Sequence, residues 1–171
     1  MDPTTTPEGA VPGIRFPAVA GRTLLGVGLT LPADFPGERT LVVVAFQRWQ
    51  QSRVDLWIER AVEAGVPATT RGQEQPMPVA VVEVPALSVQ WRPVRRFIDG
   101  GMTAGIGDPD VLARTITVYT DVNALRRSLA IPSGDDVWAF VVTRDGSVLA
   151  FGHGEPDDAT WADIGAALFP G

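Results

Sequence analysis

Apolar residues fall along this chain in two rhythms, β-branched runs and stripes spaced three and four apart, and the two alternate. Leu41, Val42, Val43, Val44, Ala45 and Phe46 form one unbroken run. Such a run predicts a central strand buried on both faces. Val54, Trp57, Ile58, Ala61 and Val62 then recur at i, i+3, i+4, i+7 and i+8, one apolar stripe of a helix over residues 50–64. Arg53, Glu59, Arg60 and Glu63 take its other faces, and Gly65 and Pro67 close it.

The alternation continues. Residues 79–84 predict a strand, and Trp91, Val94 and Ile98 mark a second helix. Pro93 fits its first turn, and Gly100 with Gly101 is its expected stop. Residues 102–114 predict a Gly/Asp/Pro loop with at most a short helical turn. Residues 116–120 alternate as a strand, and Asp121 is a natural N-cap for a short helix carrying Val122, Leu125 and Leu129. Residues 137–142 and 147–151 flank Arg144-Asp145-Gly146 as a hairpin, the Asp-Gly pair supplying a positive-φ turn. A last helix starts near Asp157 or Asp158 and buries Trp161, Ile164 and Leu168. Upstream, residues 22–31 predict a strand or small hairpin, closed by a turn over 32–37. Residues 1–14, rich in Pro, Thr and Gly, predict a disordered tail before a single domain over 15–171. The order β-β-β-α-β-α-β-α-β-β-α predicts a three-layer α/β/α fold with a mixed central sheet and an N-terminal hairpin extension.

Composition matters chiefly by what it removes. The 171 residues suit one domain of ordinary apolar content. There is no cysteine, so disulfides, thiolate nucleophiles and cysteine-ligated zinc are excluded. The 14 positive residues are all arginine, which excludes a P-loop or Schiff-base lysine. A formal charge of −6 argues against a nucleic-acid footprint. No apolar run approaches the length of a membrane span, and the start lacks a basic, apolar leader. A soluble cytoplasmic protein without a cofactor is expected.

The element order, with its terminal strand–DG turn–strand–helix, resembles the thioredoxin-like superfamily over residues 21–168. The added strand and helix over 116–129 are similar to the peroxiredoxin and TlpA-type branch. Within it, Thr23-Leu24-Leu25-Gly26, Thr30-Leu31-Pro32, Val43-Val44-Ala45-Phe46-Gln47-Arg48-Trp49-Gln50-Gln51 and Trp57 resemble a cysteine-free group. That group is typified by the mitochondrial ATP synthase assembly factor and its bacterial relatives. The resemblance implies a reactive cysteine at the start of the first helix, where unpaired amides and the helix dipole favour a thiolate. Gln50, Gln51 and Ser52 stand there instead. It also implies a cis-proline or a catalytic arginine nine residues before Gly146, where Val137 stands, and Pro132 lies too far upstream. Both halves of the redox site are missing together.

Ser52 and Arg53 with His153, the single histidine, are candidates for a nucleophile, an anion partner and a base. The competing explanation makes Ser52 a helix-start residue and His153 an edge-strand residue. Arg48, Arg53 and the amides near residues 50–52 are candidates for holding a carboxylate or phosphate. Arg92, Arg95 and Arg96 beside Trp91 form the densest basic patch, but Trp91 is expected on a core stripe. Asp108, Asp110, Asp121, Asp135 and Asp136 lack calcium-loop spacing and fit turn and cap chemistry. Trp57, Trp91, Trp138 and Trp161 are expected in the core; only Trp49 is expected half-exposed at the corner. The leading expectation is a non-redox module that holds a polypeptide in a groove around Arg48, Trp49, Gln50, Gln51, Ser52, Arg53 and Val137. An enzyme or anion-binding protein using Ser52, Arg53 and His153 is the second expectation, and a passive homodimer the third.

Overall fold

The computed structural model describes residues 9–171, and within them the side chains of 92–97 fall outside the description. Seven strands form one mixed sheet in the order β2-β1-β5-β4-β3-β6-β7. The strands are β1 (Val19–Thr23), β2 (Gly28–Leu31), β3 (Gly37–Ala45), β4 (Met77–Ser88), β5 (Ile116–Thr120), β6 (Trp138–Thr143) and β7 (Val148–His153). Parallel pairing joins β3 to β4 and β4 to β5; the other seams are antiparallel. The helices are α1 (Gln51–Glu63), α2 (Arg95–Ile106), α3 (Pro109–Arg114), α4 (Val122–Ser128) and α5 (Asp158–Leu168), with 3-10 turns at Arg48–Gln50 and Val89–Val94.

The sheet divides two apolar layers. On one face Leu41, Val43, Val81, Ala139 and Val141 pack under Val54, Trp57, Ile58 and Ala61 of α1 and Ile164 and Leu168 of α5. On the other, Val42, Val44, Val82, Val84 and Phe140 pack with Leu125 of α4 and with Leu129, Phe16 and Phe35. Alternation along a strand sends neighbouring side chains to opposite faces, so the continuous run at 41–44 is buried on both sides, as its pattern predicts. Val62 departs from the expected stripe and is exposed. Asp121 and Asp157 cap α4 and α5 by accepting from Ala124 N and Thr160 N. Gly146 takes φ +94° in the hairpin turn.

The stretch between β4 and β5 differs most from the sequence expectation. Gly100 and Gly101 do not stop the second helix; α2 runs through them to Ile106. Its end comes at Gly107, whose φ is +70° and whose N–H returns to Thr103 O. The expected loop over 102–114 is thus the last turns of α2 followed by α3, whose N-cap Asp108 accepts from Asp110 N. Residues 89–94 wind as a 3-10 turn, three residues per turn instead of 3.6. Trp91 on this turn is 48% exposed and not in the core where the sequence pattern placed it. The basic patch at Arg92, Arg95 and Arg96 lies outside the described side chains. At the start of the described chain, Val11 N donates to Val148 O and Ile14 packs on the core; most of the predicted tail, residues 1–8, lies outside the description.

Candidate functional site

The corner between β3 and α1 is formed by one buried side chain. Gln50 is fully buried, and its Oε1 accepts from Phe46 N at 2.8 Å and Gln47 N at 3.1 Å. Its Nε2 donates to Gly134 O at 2.9 Å, tying the corner to the loop before β6. Gln50 is therefore a structural clamp, satisfying backbone groups that an irregular turn leaves open. Arg48, Trp49, Gln51 and Ser52 stand outward around it.

Arg53, one turn into α1, donates from Nη1 to Asp136 Oδ1 at 2.7 Å. The same oxygen accepts from Val137 N at 2.8 Å. His153 approaches from the end of β7, its Nδ1 4.0 Å from Asp136 Oδ2, and its ring stacks on Trp138 with centroids 4.7 Å apart. On its other side the Arg53 guanidinium lies over the Trp49 ring, 5.8 Å from the centroid. Arg53 and His153 thus converge as the sequence spacing allowed, on a carboxylate that the sequence offered only as turn chemistry. The signal available was the position of Asp136, immediately before Val137 at the expected groove.

Ser52 does not join them; its hydroxyl makes no hydrogen bond among the described residues. A serine nucleophile needs its base in contact, and His153 faces Asp136 and Trp138 instead. The Arg53 charge is also already matched by Asp136, which leaves little of it for a bound anion. Val137 is fully buried in the α1-side core, so its side chain lies beneath the groove position, and Asp136 beside it is what meets the surface.

A second polar group lies under the corner. Glu83 on β4 is 3% exposed and faces α1. Gln51 Nε2 donates to its Oε2 at 3.0 Å and to Asp55 Oδ1 at 3.0 Å. The Thr115 hydroxyl lies 2.7 Å from both Glu83 Oε1 and the Val111 carbonyl, and its single proton serves one of them. Gln51 is thereby held by the sheet beneath it, a link that nothing in the local sequence announces.

Around this end of the sheet the apolar surface is open. Trp49 is 59% exposed, and Val89 and Trp91 are exposed on the 3-10 turn that follows β4. β3 and β4 are parallel neighbours with Ala45 opposite Pro85; β3 ends there, with Trp49 four residues on, while β4 runs on toward the same end of the sheet to Ser88, with Val89 directly after it. Among the described residues no group of three His, Asp or Glu is placed to hold a metal ion, and no helix is long and apolar enough to cross a membrane.

No protein-family model matches this chain, and no curated protein matches it. Solved structures do. It is similar to the exposed lipoprotein thioredoxin of Streptococcus pneumoniae strain TIGR4, at TM-score 0.55 and 12% identity over 87% of this chain and 98% of that one. It is similar to BsSco, a member of the Sco family of cytochrome c oxidase assembly proteins, at TM-score 0.55 and 14% identity over 92% and 95%. A structure assigned as the thiol:disulfide interchange protein DsbE of Chlorobium tepidum matches at TM-score 0.50 and 18% identity over 94% and 99%. These likenesses show a thioredoxin-like α/β fold. They do not single out the peroxiredoxin branch, and at these identities they carry no activity. One of the three is an exposed lipoprotein, so the fold says nothing of compartment.

Proposed function

We propose that this thioredoxin-like chain works without redox chemistry, as a binding module that holds an extended polypeptide against the corner where β3 enters α1. The observation that carries the reading is the pair of exposed tryptophans, Trp49 and Trp91, on the segments that leave two adjacent parallel strands at one end of the sheet. Exposed tryptophans beside polar groups are characteristic of protein-binding surfaces. Arg53 lies over the Trp49 ring and links it to Asp136 and His153. With no cysteine in the chain, the corner offers no thiolate nucleophile. An assembly or chaperone-like role fits this chemistry and the resemblance to the cysteine-free assembly-factor group, and no particular partner is assigned.

The test is to screen a random-peptide array with the purified protein and titrate the strongest peptide by tryptophan fluorescence. Dissociation constants of about 1–100 μM are expected, where a lost aromatic anchor of about 2 kcal/mol is a more than tenfold effect. Trp49→Ala and Trp91→Ala should each weaken binding by about tenfold or more, while Leu25→Ala, on the β1–β2 turn, leaves it unchanged. Peptides held equally well by the double variant would remove the reading. A dimer that both substitutions dissociate would replace it with a self-association surface.

A further inference from the structure

Beyond the corner, α2 stands over the face of the sheet that carries the β1–β5 seam, leaving a cleft of about 460 Å³ between them. A smaller cleft of about 300 Å³ continues from it, and Arg22 and Asp99 line both. We propose that this cleft binds a small zwitterion of the amino-acid or dipeptide class, its carboxylate set against Arg22 and its ammonium against Asp99.

The lining follows from strand register. Arg22 of β1 is paired with Thr117 of β5, so the two side chains stand side by side on one face, and Tyr119 shares that face two residues on. Tyr119 donates its hydroxyl to Asp99 Oδ1 at 3.0 Å, fixing the carboxylate at the α2 wall. The Arg22 side chain makes no ion pair or hydrogen bond among the described residues. Its guanidinium folds back toward the β1–β2 turn, with Nη2 3.9 Å from where a Cβ on Gly26 would stand. Two opposite charges therefore share one cleft without pairing with each other, which is the complement of a ligand carrying both signs.

The floor adds a second, independent observation. Thr117 is 1% exposed, and its hydroxyl has no hydrogen-bond partner among the described residues. Buried polar atoms in native structures are nearly always satisfied, and an exception calls for an explanation such as a missing ligand or water. Thr117 lies opposite Arg22 in the β1–β5 register and lines the same cleft, so rotation of its side chain to another staggered rotamer would let the hydroxyl donate to a carboxylate bound there. The size falls within the range of small-molecule pockets and exceeds that of a single bound ion. A lone inorganic anion would leave Asp99 facing it, so the two-charge ligand is the better fit.

The experiment uses the full chain with free amino acids and a set of dipeptides as probes, read by saturation-transfer NMR and by thermal shift. At least one zwitterion should bind saturably, with binding lost when its amine is acetylated or its carboxylate amidated. Arg22→Gln and Asp99→Asn, the latter keeping the acceptor for Tyr119, should each weaken it by about tenfold or more. Thr117→Val should weaken it while leaving the melting temperature unchanged or higher, because it removes an unpaired buried hydroxyl. Trp49→Ala should leave it intact, which separates this site from the peptide surface. No saturable binding by any probe at ~10 mM, or binding that survives both charge variants, would overturn the proposal.

Discussion

A few side chains decide what the corner is. Gln50 makes three hydrogen bonds from a fully buried position, two of them to backbone amides with no other place to go. Gln50→Ala should cost about 2–4 kcal/mol, because it strands those donors as well as removing bonds. Urea titration would show it as a lower midpoint at unchanged slope. Glu83→Gln should behave in the opposite way. An amide can donate to the Thr115 oxygen while Thr115 donates to Val111 O, and it can still accept from Gln51, which supplies the proton the carboxylate arrangement lacks. Stability should hold or rise by ~1 kcal/mol; a loss of that size would show that the carboxylate itself is needed. Gln50 was legible in the sequence as a site position but not as a clamp. Its partner Gly134 lies 84 residues away, and no local pattern encodes that distance.

Elements were legible where periodicity was long and the ends were marked by ordinary caps. The stripe of α1, the run of β3, the Asp caps of α4 and α5 and the DG hairpin all stand where their residues place them. The strand at 79–84 proved longer, reaching Ser88, because Pro85 interrupts hydrogen bonding without bending the chain out of the sheet. Its missing N–H falls between the Glu83–Thr115 bridge and the ladder that resumes at Ala86. The second helix stands where its stripe predicts it but runs past its expected stop to Ile106, because two glycines suit a stop as well as an interior, and tertiary packing overrides the propensity. Gly101 is exposed, and a Cβ there would meet nothing within 4 Å. Gly101→Ala should therefore stabilise the protein by ~0.5–1 kcal/mol, visible as a higher melting temperature. A destabilised variant would mean that α2 does not run through this position in solution.

For the whole molecule, acid is the informative variable. Burial works to raise Asp145, but hydrogen bonds from the Thr143 hydroxyl and from Ser147, with the charge of Arg15, hold it below its ordinary value. Asp157 is held low by the Thr160 amide and hydroxyl, against a small opposing effect of burial, with the nearness of His153 adding to the shift. Both folded-state pKa values lie below the unfolded one, so their stabilisation is complete above about pH 4 and is lost as pH falls through the folded values. Melting temperature should thus be insensitive to these two groups from pH 7 to about 5 and drop below about 4. Asp145→Asn and Asp157→Asn should flatten that drop, and an acid limb unchanged in both variants would assign it to other carboxylates. The sequence by itself determined the layered α/β fold and the loss of thiol chemistry, because burial periodicity, caps and residue identity are local properties. Only the tertiary structure decided that Trp91 faces out, that Arg53 and His153 meet at Asp136, and that Arg22 and Asp99 share a cleft unpaired. Those facts depend on how distant segments meet at the ends and seams of the sheet, where register and loop path, and not pattern, set which side chains touch.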